Sequence, residues 1–548
     1  MNAGCLFTNL NDSMNPSHLW LPSFLTDKKG VTAILAPSHR KYADLFWIGL
    51  LIVCAIFSRC VFVIRPFDSD SAMFIYMGRL ISEGGRFQHE IVDNKFPTVG
   101  LLMSAPWRIL DSNWFAWVML GAMLSAIACW RLAKAARDTF GAGAMQPTLL
   151  AAIVLLNFNF TVFGGFQLET IHVFFASLAA AAALDALRKD DLRDSFLVGL
   201  AAAMGAYAKP TALAVALAFS LAFSLAMIIH MRTHRARLIQ HGIATAAGAG
   251  IPLLAFLIYL VGADNLKDMP ALYQQISLYA ANSSWSAEDI NKPITVLILV
   301  GFPFLVRGWI FRRQRIEGGR DSSTAMLFLF AWLAMELMGV VMQRRMYAYH
   351  FMPIAAPIAL LFGAIPRRNE TRFIVPALVP LAIFSVVGAA NVLRYGYDAN
   401  GNLLASDYLR QHAIQGERVW QDDVPRLLLE TGLHSGSRHP LTFLFANDDE
   451  APLRYGSTLV KDFAIQRPRY IVLPTDLTAY VAHQEKYILE LERVAARRAN
   501  YSTAWGWIEA YVKQHYTPES RVGGQTVWVR RDFDSLAKPP VASGACFD

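Results

Sequence analysis

Charged and aromatic residues that could carry out chemistry are predicted to gather at one end of a group of apolar segments. They combine carboxylates, which can accept a proton, with basic side chains, which can neutralise a phosphate. Charges at membrane depth are costly and are usually functional. The predicted set comes from four loops and consists of Asp68, Asp70, Lys95, Glu169, Lys209, Arg345, Tyr347 and His350.

The first acidic pair is Asp68-Ser-Asp70. Carboxylates two residues apart do not share a helix face, so one can point into a cavity while the other caps a helix starting near Ser71. A second interpretation makes both of them helix caps. The pattern also resembles the metal-binding D-x-D of soluble nucleotide-sugar transferases, but the nucleotide-binding fold of those enzymes is absent.

Three further residues are predicted at the same rim. Lys95 lies two residues before Pro97 at the predicted membrane surface. Its ammonium group either binds a phosphate as a point charge or only extends from the interface towards water. Glu169 begins an apolar run, where the helix dipole alone also favours an acid. Lys209 lies in a tight turn between two apolar runs and is either a phosphate ligand or an ordinary loop lysine.

A dense cluster precedes the apolar run that starts at Phe351. Tyr347 and Tyr349 fit either the site or the aromatic belt at a membrane surface. Arg345 and His350 together are harder to explain as anchors, because topology rules place basic residues on the opposite side.

The composition requires these residues to be positioned by membrane helices. The chain has 548 residues, of which 55% are hydrophobic and 17% charged, and its mean hydropathy is +0.34. The net charge of +8 comes from short basic clusters between apolar runs, which indicates membrane topology and not nucleic-acid binding. The five cysteines show neither zinc nor disulfide spacing. We expect no cleaved signal peptide, because the polar first forty or so residues lack an apolar core.

Apolar runs of about 20 residues predict about eleven membrane spans. Every second loop is rich in Lys and Arg, which predicts a cytoplasmic N-terminus and an outer C-terminus. The predicted organisation is a cytoplasmic tail at 1–42, a transmembrane catalytic domain at 43–395 with an outer loop at 65–113, and a soluble periplasmic α/β domain at 396–548. The spans centre near 46–64, 114–131, 147–163, 168–186, 194–208, 211–230, 238–262, 293–311, 324–342, 350–366 and 372–393.

Local patterns predict further elements on the outer side. Amphipathic stretches near 70–83, 98–110 and 266–280 are typical of helices lying in the membrane interface. The polar tail contains apolar runs that predict strands and periodic runs that predict helices. The predicted strands are Leu441–Ala446, Tyr470–Pro474 and Thr526–Val529, and the predicted helices are Leu403–His412 and Gln484–Arg498.

In order and spacing, these residues resemble the GT-C class of membrane glycosyltransferases, and within it the protein O-mannosyltransferases and the lipid A aminoarabinose transferases. The sequence departs from that pattern at three points: Ser71 stands where the family has Glu, one proline of a Lys-Pro-Pro element is Phe96, and the tyrosine precedes the histidine. The matching elements are Asp70 with Gly84 and Gly85, Lys95-Phe-Pro97, Glu169, Lys209-Pro210 and His350-Phe-Met-Pro353.

The resemblance implies an inverting hexosyl- or pentosyltransferase of a bacterial inner membrane. It would move a sugar from a polyprenyl-phosphate donor to a lipid, glycan or protein acceptor on the periplasmic side. Asp70 would be the catalytic base, and Glu169 would orient a lysine or contact the sugar. Asp68, Lys95, Lys209, Arg345, Tyr347 and His350 would bind the donor. We expect no tightly bound cofactor and no nucleic-acid partner, and an ion bridging Asp68 and Asp70 to the phosphate stays open.

Three alternatives remain open, of which a non-catalytic scaffold would not need charges that converge from four loops. An undecaprenyl-linked glycan ligase or polymerase would also have many spans, but it would place its Arg and His cluster in one large mid-chain loop. A transporter or flippase would show repeat-related halves and ionisable residues near mid-span. Neither pattern is evident in the sequence.

Overall fold

The computed structural model describes residues 69–93, 95–157, 166–208, 210–231, 234–281, 320–342, 348–364, 400–422, 424–440, 448–487 and 495–533, with scattered positions between 49 and 62. The chain divides into two compact units, Met1–Leu51 and Ile52–Asp548. All elements below belong to the second unit.

Eleven α-helices lie between residues 69 and 364 in the described part of the chain. Most of them overlap apolar runs that the sequence predicts as spans. They are α1 Ser69–Ser82, α2 Pro97–Leu110, α3 Trp114–Phe140, α4 Met145–Leu156, α5 Leu168–Lys189, α6 Leu192–Ala206, α7 Pro210–His230, α8 Arg235–Gly262, α9 Met269–Ala281, α10 Arg320–Met342 and α11 Ala355–Ala364.

Four helices in the described part of the chain are long and apolar enough to cross a membrane. They are α3, α5, α8 and the Ser323–Met342 part of α10. The predicted spans near 46–64, 293–311 and 372–393 fall wholly or largely outside the described residues, so the count of eleven stays a prediction. The amphipathic stretches predicted near 70–83 and 98–110 correspond to α1 and α2.

The helix α8 shows how these helices pack. Ile243, Leu254 and Ile258 are more than half exposed, at 64%, 58% and 64%, which fits a face turned towards lipid. Its other face lies against α6 without room for a side chain at Gly248. A Cβ there would lie 2.0 Å from the carbonyl oxygen of Phe196. Small residues allow such close backbone approach between membrane helices, where no hydrophobic effect drives association.

A five-stranded sheet lies in the C-terminal region. Its order is β2-β1-β3-β5-β4, with β1 parallel to β2 and β3, and β5 antiparallel to β3 and β4. Gly523 and Gly524 both have positive φ, which suits the two-residue turn between β4 and β5. The strands are β1 Arg418–Gln421, β2 His434–Ser435, β3 Tyr470–Pro474, β4 Tyr516–Val522 and β5 Gln525–Arg530.

Five helices accompany this sheet: α12 Asn400–His412, α13 Val424–Thr431, α14 Ala451–Gln466, α15 Leu477–Tyr487 and α16 Ala495–His515. The predicted helix Leu403–His412 lies in α12, and the predicted strands Tyr470–Pro474 and Thr526–Val529 lie in β3 and β5. The helix predicted over Gln484–Arg498 overlaps the end of α15 and the start of α16, and 488–494 lie outside the described ranges. The strand predicted at Leu441–Ala446 also lies outside them.

The two faces of the sheet have different neighbours, because side chains alternate along each strand. Ile471 and its face pack against α14 and α16. Val419, Val472 and Val527 on the other face share one buried cluster with α13 and with residues of α1, including Met73. The sheet and α1 therefore have a common core.

Polar contacts reinforce this junction. The buried guanidinium of Arg79, in the last turn of α1, donates to the carbonyl oxygens of Leu428, Gly432 and Leu433 at the end of α13. The carbonyl oxygen of Leu428 also accepts the backbone N–H of Gly432 at 3.0 Å. Carbonyl oxygens at the C-terminal end of a helix are favourable partners for a cation. The C-terminal region thus holds one end of the helix whose other end carries Asp70.

Candidate active site

The start of α1 is fixed against the chain that leads into α5. Asp70 is the acid of the first turn of α1, where the helix dipole favours a carboxylate. The adjacent Ser71 is fully buried, and its hydroxyl donates a hydrogen bond to the carbonyl oxygen of Phe166. Glu169 lies three residues after Phe166, so this hydrogen bond holds the segment that carries Asp70 next to the segment that carries Glu169.

A tyrosine reaches Asp70 from the far end of the helical region. The hydroxyl of Tyr349 donates to Oδ2 of Asp70 at 3.3 Å. Tyr349 lies in a short 3-10 helix, Ala348–Ile354, which precedes α11. Its ring contacts the His350 ring edge-on, with centroids 4.6 Å apart.

His350 in turn faces Glu169. Nε2 of His350 lies 4.0 Å from Oε1 of Glu169, and both side chains are almost fully buried. Glu169 is in the first turn of α5. The acid and the imidazole are therefore close enough to interact electrostatically.

Lys95 is held near the same place by a local turn. Its backbone N–H donates to Oδ1 of Asp93 at 2.8 Å, and its Nζ lies 3.8 Å from the same oxygen. Nζ also lies 5.9 Å from the ring centroid of Phe74, one turn after Asp70 on α1. The lysine is therefore directed towards the start of α1.

These neighbours set the proton affinity of Asp70. Burial is the largest influence and raises the pKa of the Asp70 carboxyl above its usual range. The positive charge of Lys95 lowers this pKa, the negative charge of Glu169 raises it, and the hydrogen bond from Tyr349 lowers it. The net shift is upward, which makes this carboxylate a stronger base than an exposed aspartate.

The structure brings together four of the predicted residues, Asp70, Lys95, Glu169 and His350. The other four, Asp68, Lys209, Arg345 and Tyr347, lie outside the described residues. The chain just before Lys209 is described, and it contacts the same region, because the hydroxyl of Thr98 donates to the carbonyl oxygen of Tyr207 at 2.9 Å.

Two residues of this cluster were missing from the predicted set. Tyr349 fitted an aromatic belt equally well, and no local pattern shows that its hydroxyl reaches Asp70. Asp93 could have been found, because an aspartate that accepts the N–H two residues later is a common turn. Its carboxylate positions Lys95, and it is 1% exposed.

A second polar cluster resembles a catalytic triad but lacks its geometry. Ser195 Oγ lies 2.6 Å from Nδ1 of His241, whose Nε2 lies 2.6 Å from Oδ1 of Asp190. Hydrolytic triads use the opposite nitrogens and an exposed serine, whereas Ser195 and His241 are 0% and 1% exposed. This cluster instead ties the end of α5 to the starts of α6 and α8.

Among the described residues, no group of three or more His, Cys, Asp and Glu side chains could hold a metal ion. Around Asp70 the described residues place a second acid, Glu169, a histidine, His350, and a cation, Lys95. The arrangement can thus pair a buried base with a cation beside it.

Comparison with solved structures defines the class of fold. No protein-family model and no curated protein matches this sequence. The chain has the fold of the GT-C membrane glycosyltransferases, which confirms the predicted resemblance. A similar structure is ArnT from Cupriavidus metallidurans bound to undecaprenyl phosphate, with a TM-score of 0.58 and 14% identity over 90% of this chain and 99% of that chain.

A second solved structure is similar at a lower level. It is the archaeal oligosaccharyltransferase AglB from Archaeoglobus fulgidus in complex with an inhibitory peptide and a dolichol-phosphate. The TM-score is 0.44 and the identity 12%, over 90% of this chain and 75% of that chain.

Proposed function

We propose that this chain is an inverting glycosyltransferase that moves a sugar from a polyprenyl-phosphate donor to an acceptor hydroxyl at the outer side of a bacterial inner membrane. The observation that carries the proposal is the convergence of Asp70, Tyr349, Glu169, His350 and Lys95 at the start of α1 in a chain of GT-C fold. This site combines the base and the cations that such a transfer needs.

In the proposed reaction, the acceptor oxygen forms a bond to the anomeric carbon as the bond from that carbon to the phosphate oxygen breaks. The acceptor proton passes to a carboxylate oxygen of Asp70, and the electron pair of the broken bond stays on the polyprenyl phosphate. A single displacement of this kind inverts the anomeric centre. General base catalysis is typically worth about 10²–10⁴-fold, and the raised pKa of Asp70 fits that role.

The leaving phosphate needs positive charge more than it needs a proton. Lys95 provides a charge at the start of α1, and His350 provides a ring N–H next to Glu169. We assign Lys209 and Arg345 to the same phosphate and Asp68 and Tyr347 to the rest of the donor, from their positions in the sequence. Such preorganised cations stabilise charge that develops in the transition state.

The proposed topology has about eleven spans and a periplasmic domain at 396–548. The contacts of Arg79 with Leu428 and Gly432 support it, because α1 and the C-terminal sheet can meet only on one side of the membrane. An even number of spans must therefore separate the loop at 65–113 from the tail. Ten spans after the first, as the basic loops predict, satisfy this condition.

Donor binding gives the test. Purified protein in nanodiscs is titrated with undecaprenyl phosphate, and the bound lipid is identified by mass spectrometry. We expect saturable binding that phosphate-free undecaprenol does not reproduce. Equal binding of the two lipids would contradict the proposal that the donor is a polyprenyl phosphate.

A further inference from the structure

A buried pair of ionisable residues lies deeper in the helix bundle than the proposed site. Nε2 of His172, on α5, is 3.3 Å from both carboxyl oxygens of Glu336, on α10. The two side chains are 4% and 2% exposed. Trp332 donates its indole N–H to Oε1 of Glu336 at 2.9 Å. Neither member of the pair belonged to the predicted set.

The partners of His172 determine how many protons the pair holds. Nδ1 of His172 lies 3.4 Å from the carbonyl oxygen of Gly205, which can only accept, so Nδ1 carries a hydrogen. Nε2 and the carboxyl oxygens of Glu336 can form a hydrogen bond only if one further proton lies between them. Whichever of the two holds it, the pair has no net charge, and this avoids the cost of a lone charge among apolar helices.

The space around the pair is small. A cavity of about 10 Å³ is lined by His172, Glu336 and mostly small side chains such as Ala176 and Ala202. Such a volume holds about one water molecule. The pair is therefore a closed contact between helices and has no room for a substrate.

The pair connects the two elements that carry the proposed site. His172 lies one turn after Glu169 on the same face of α5. The 3-10 helix with Tyr349 and His350 packs against both α5 and α10. A shift of α5 relative to α10 would therefore change the distance from Glu169 to His350 and to Asp70.

We propose that His172 and Glu336 are positioning residues, whose neutral, proton-sharing contact sets the spacing of α5 and α10 and thereby holds Glu169 against the reaction site. The proposal rests on the proposed glycosyl transfer for its effect on turnover. Its effect on the geometry around Asp70 can be read without any turnover.

The readout follows from the groups that face Asp70. They are Lys95, Glu169 and Tyr349, with His350 behind Tyr349. Because the negative charge of Glu169 raises the pKa of Asp70, a Glu169 that moves away leaves that pKa lower. The acidic limb of the activity profile then shifts to lower pH.

The variants Glu336→Gln and Glu336→Ala distinguish a role in positioning α5 against α10 from a role that requires the negative charge of Glu336. The amide of Gln accepts from Trp332 and donates to Nε2 of neutral His172, so we expect near-normal turnover and an unchanged acidic limb. Ala leaves the side chains of His172 and Trp332 without their hydrogen-bond partner. The cost of each buried group left unsatisfied corresponds to a factor of about 5 to 150 in an equilibrium constant. We expect Glu336→Ala to lower kcat by at least about 10-fold with little change in KM for the donor, and to shift the acidic limb to lower pH.

Wild-type kcat and acidic limb in Glu336→Ala would overturn the proposal, and so would a Glu336→Gln enzyme as impaired as Glu336→Ala. If Glu336→Ala fails to fold, the double variant His172→Leu/Glu336→Leu replaces the pair by apolar groups, which is often tolerated. Wild-type activity and acidic limb in that variant would also contradict the inference.

A measurement without turnover distinguishes this inference from the proposed function. The carboxyl band that disappears in Asp70→Asn is followed against pH by infrared difference spectroscopy. We expect the Asp70 titration to move to lower pH in Glu336→Ala and to stay in place in Glu336→Gln. If the wild type shows no transfer but the band shifts as expected, only the proposed function fails. An unshifted band in Glu336→Ala would contradict the positioning role.

Discussion

Tyr349 and Asp70 are 279 positions apart in the chain, and the hydroxyl of one donates to the carboxylate of the other at 3.3 Å. The bond joins the 3-10 helix before α11 to the first turn of α1. It also brings His350, next in the chain to Tyr349, to the same end of the helices as Asp70. The proposed site therefore depends on segments from both ends of the helical region.

Tyr349→Phe tests this bond. The hydrogen bond from Tyr349 lowers the pKa of Asp70, so its loss should raise that pKa further above the usual range. Activity falls as Asp70 becomes protonated, and the acidic limb of kcat/KM should therefore move to higher pH. Transfer from a synthetic polyprenyl-phosphate sugar, measured across pH, provides the check. A limb that stays in place would show that the tyrosine does not contact the base during turnover.

Lys95→Ala should weaken donor binding. Loss of a charged hydrogen-bond partner costs about 1.5–3 kcal/mol, or roughly 10- to 150-fold. Titration with undecaprenyl phosphate measures the effect. Lys461→Ala, an exposed lysine of α14, is the control and should bind like the wild type. Equal affinities in the two variants would place the phosphate elsewhere.

The outer elements show what the sequence can and cannot predict. Helices α1 and α2 follow from their amphipathic pattern, and the acid at Asp70 follows from its place before an apolar helix. The contact of Arg79 with Leu428 does not follow, because no local pattern connects residues 349 positions apart. The same holds for the common core of α1 and the sheet.

The buried pair shows a second kind of limit. His172 and Glu336 are each a single ionisable residue in a long apolar run, which predicts only that the run is a membrane helix. Their partnership depends on the rotation of α5 and α10 about their axes. Packing between helices decides that rotation, and hydropathy alone does not encode it.

A cysteine at Thr478 tests the topology. Thr478 is exposed in α15, and the proposed periplasmic domain includes it. The native Cys546 belongs to the same proposed domain, so the test uses a Cys546→Ser background. In that background Thr478→Cys should react with a membrane-impermeant thiol reagent added to intact spheroplasts. Cys129 is buried in α3 and should stay unreactive in the same cells. Labelling of Thr478→Cys only after lysis would contradict the outer position of the sheet and of the site that packs against it.

Two glycines of α8 test the helix packing. A Cβ at Gly248 would lie 2.0 Å from the carbonyl oxygen of Phe196, whereas a Cβ at Gly250 would meet nothing within 4 Å. Gly248→Ala should destabilise the protein by about 1–3 kcal/mol, as overpacking does. Gly250→Ala should be neutral or stabilising by up to about 1 kcal/mol. Thermal unfolding in detergent compares the two, and equal melting temperatures would refute the close contact of α6 with α8.

The base assignment is the centre of the proposed mechanism. Asp70→Asn keeps the size of the side chain and can still accept from Tyr349, but it cannot take a proton from the acceptor. If Asp70 is the base, turnover should fall by about 10²-fold or more while donor binding is nearly retained. The same change at Asp68 should have a smaller effect.

Transfer from a synthetic polyprenyl-phosphate sugar, followed in nanodiscs across pH for wild type, Asp70→Asn and Asp68→Asn, tests this most directly. The wild type should lose activity at a pH above the usual range for an aspartate, because burial raises the pKa of Asp70. That acidic limb should be absent from the residual activity of Asp70→Asn. Near-normal turnover in Asp70→Asn, with the limb in place, would contradict the account.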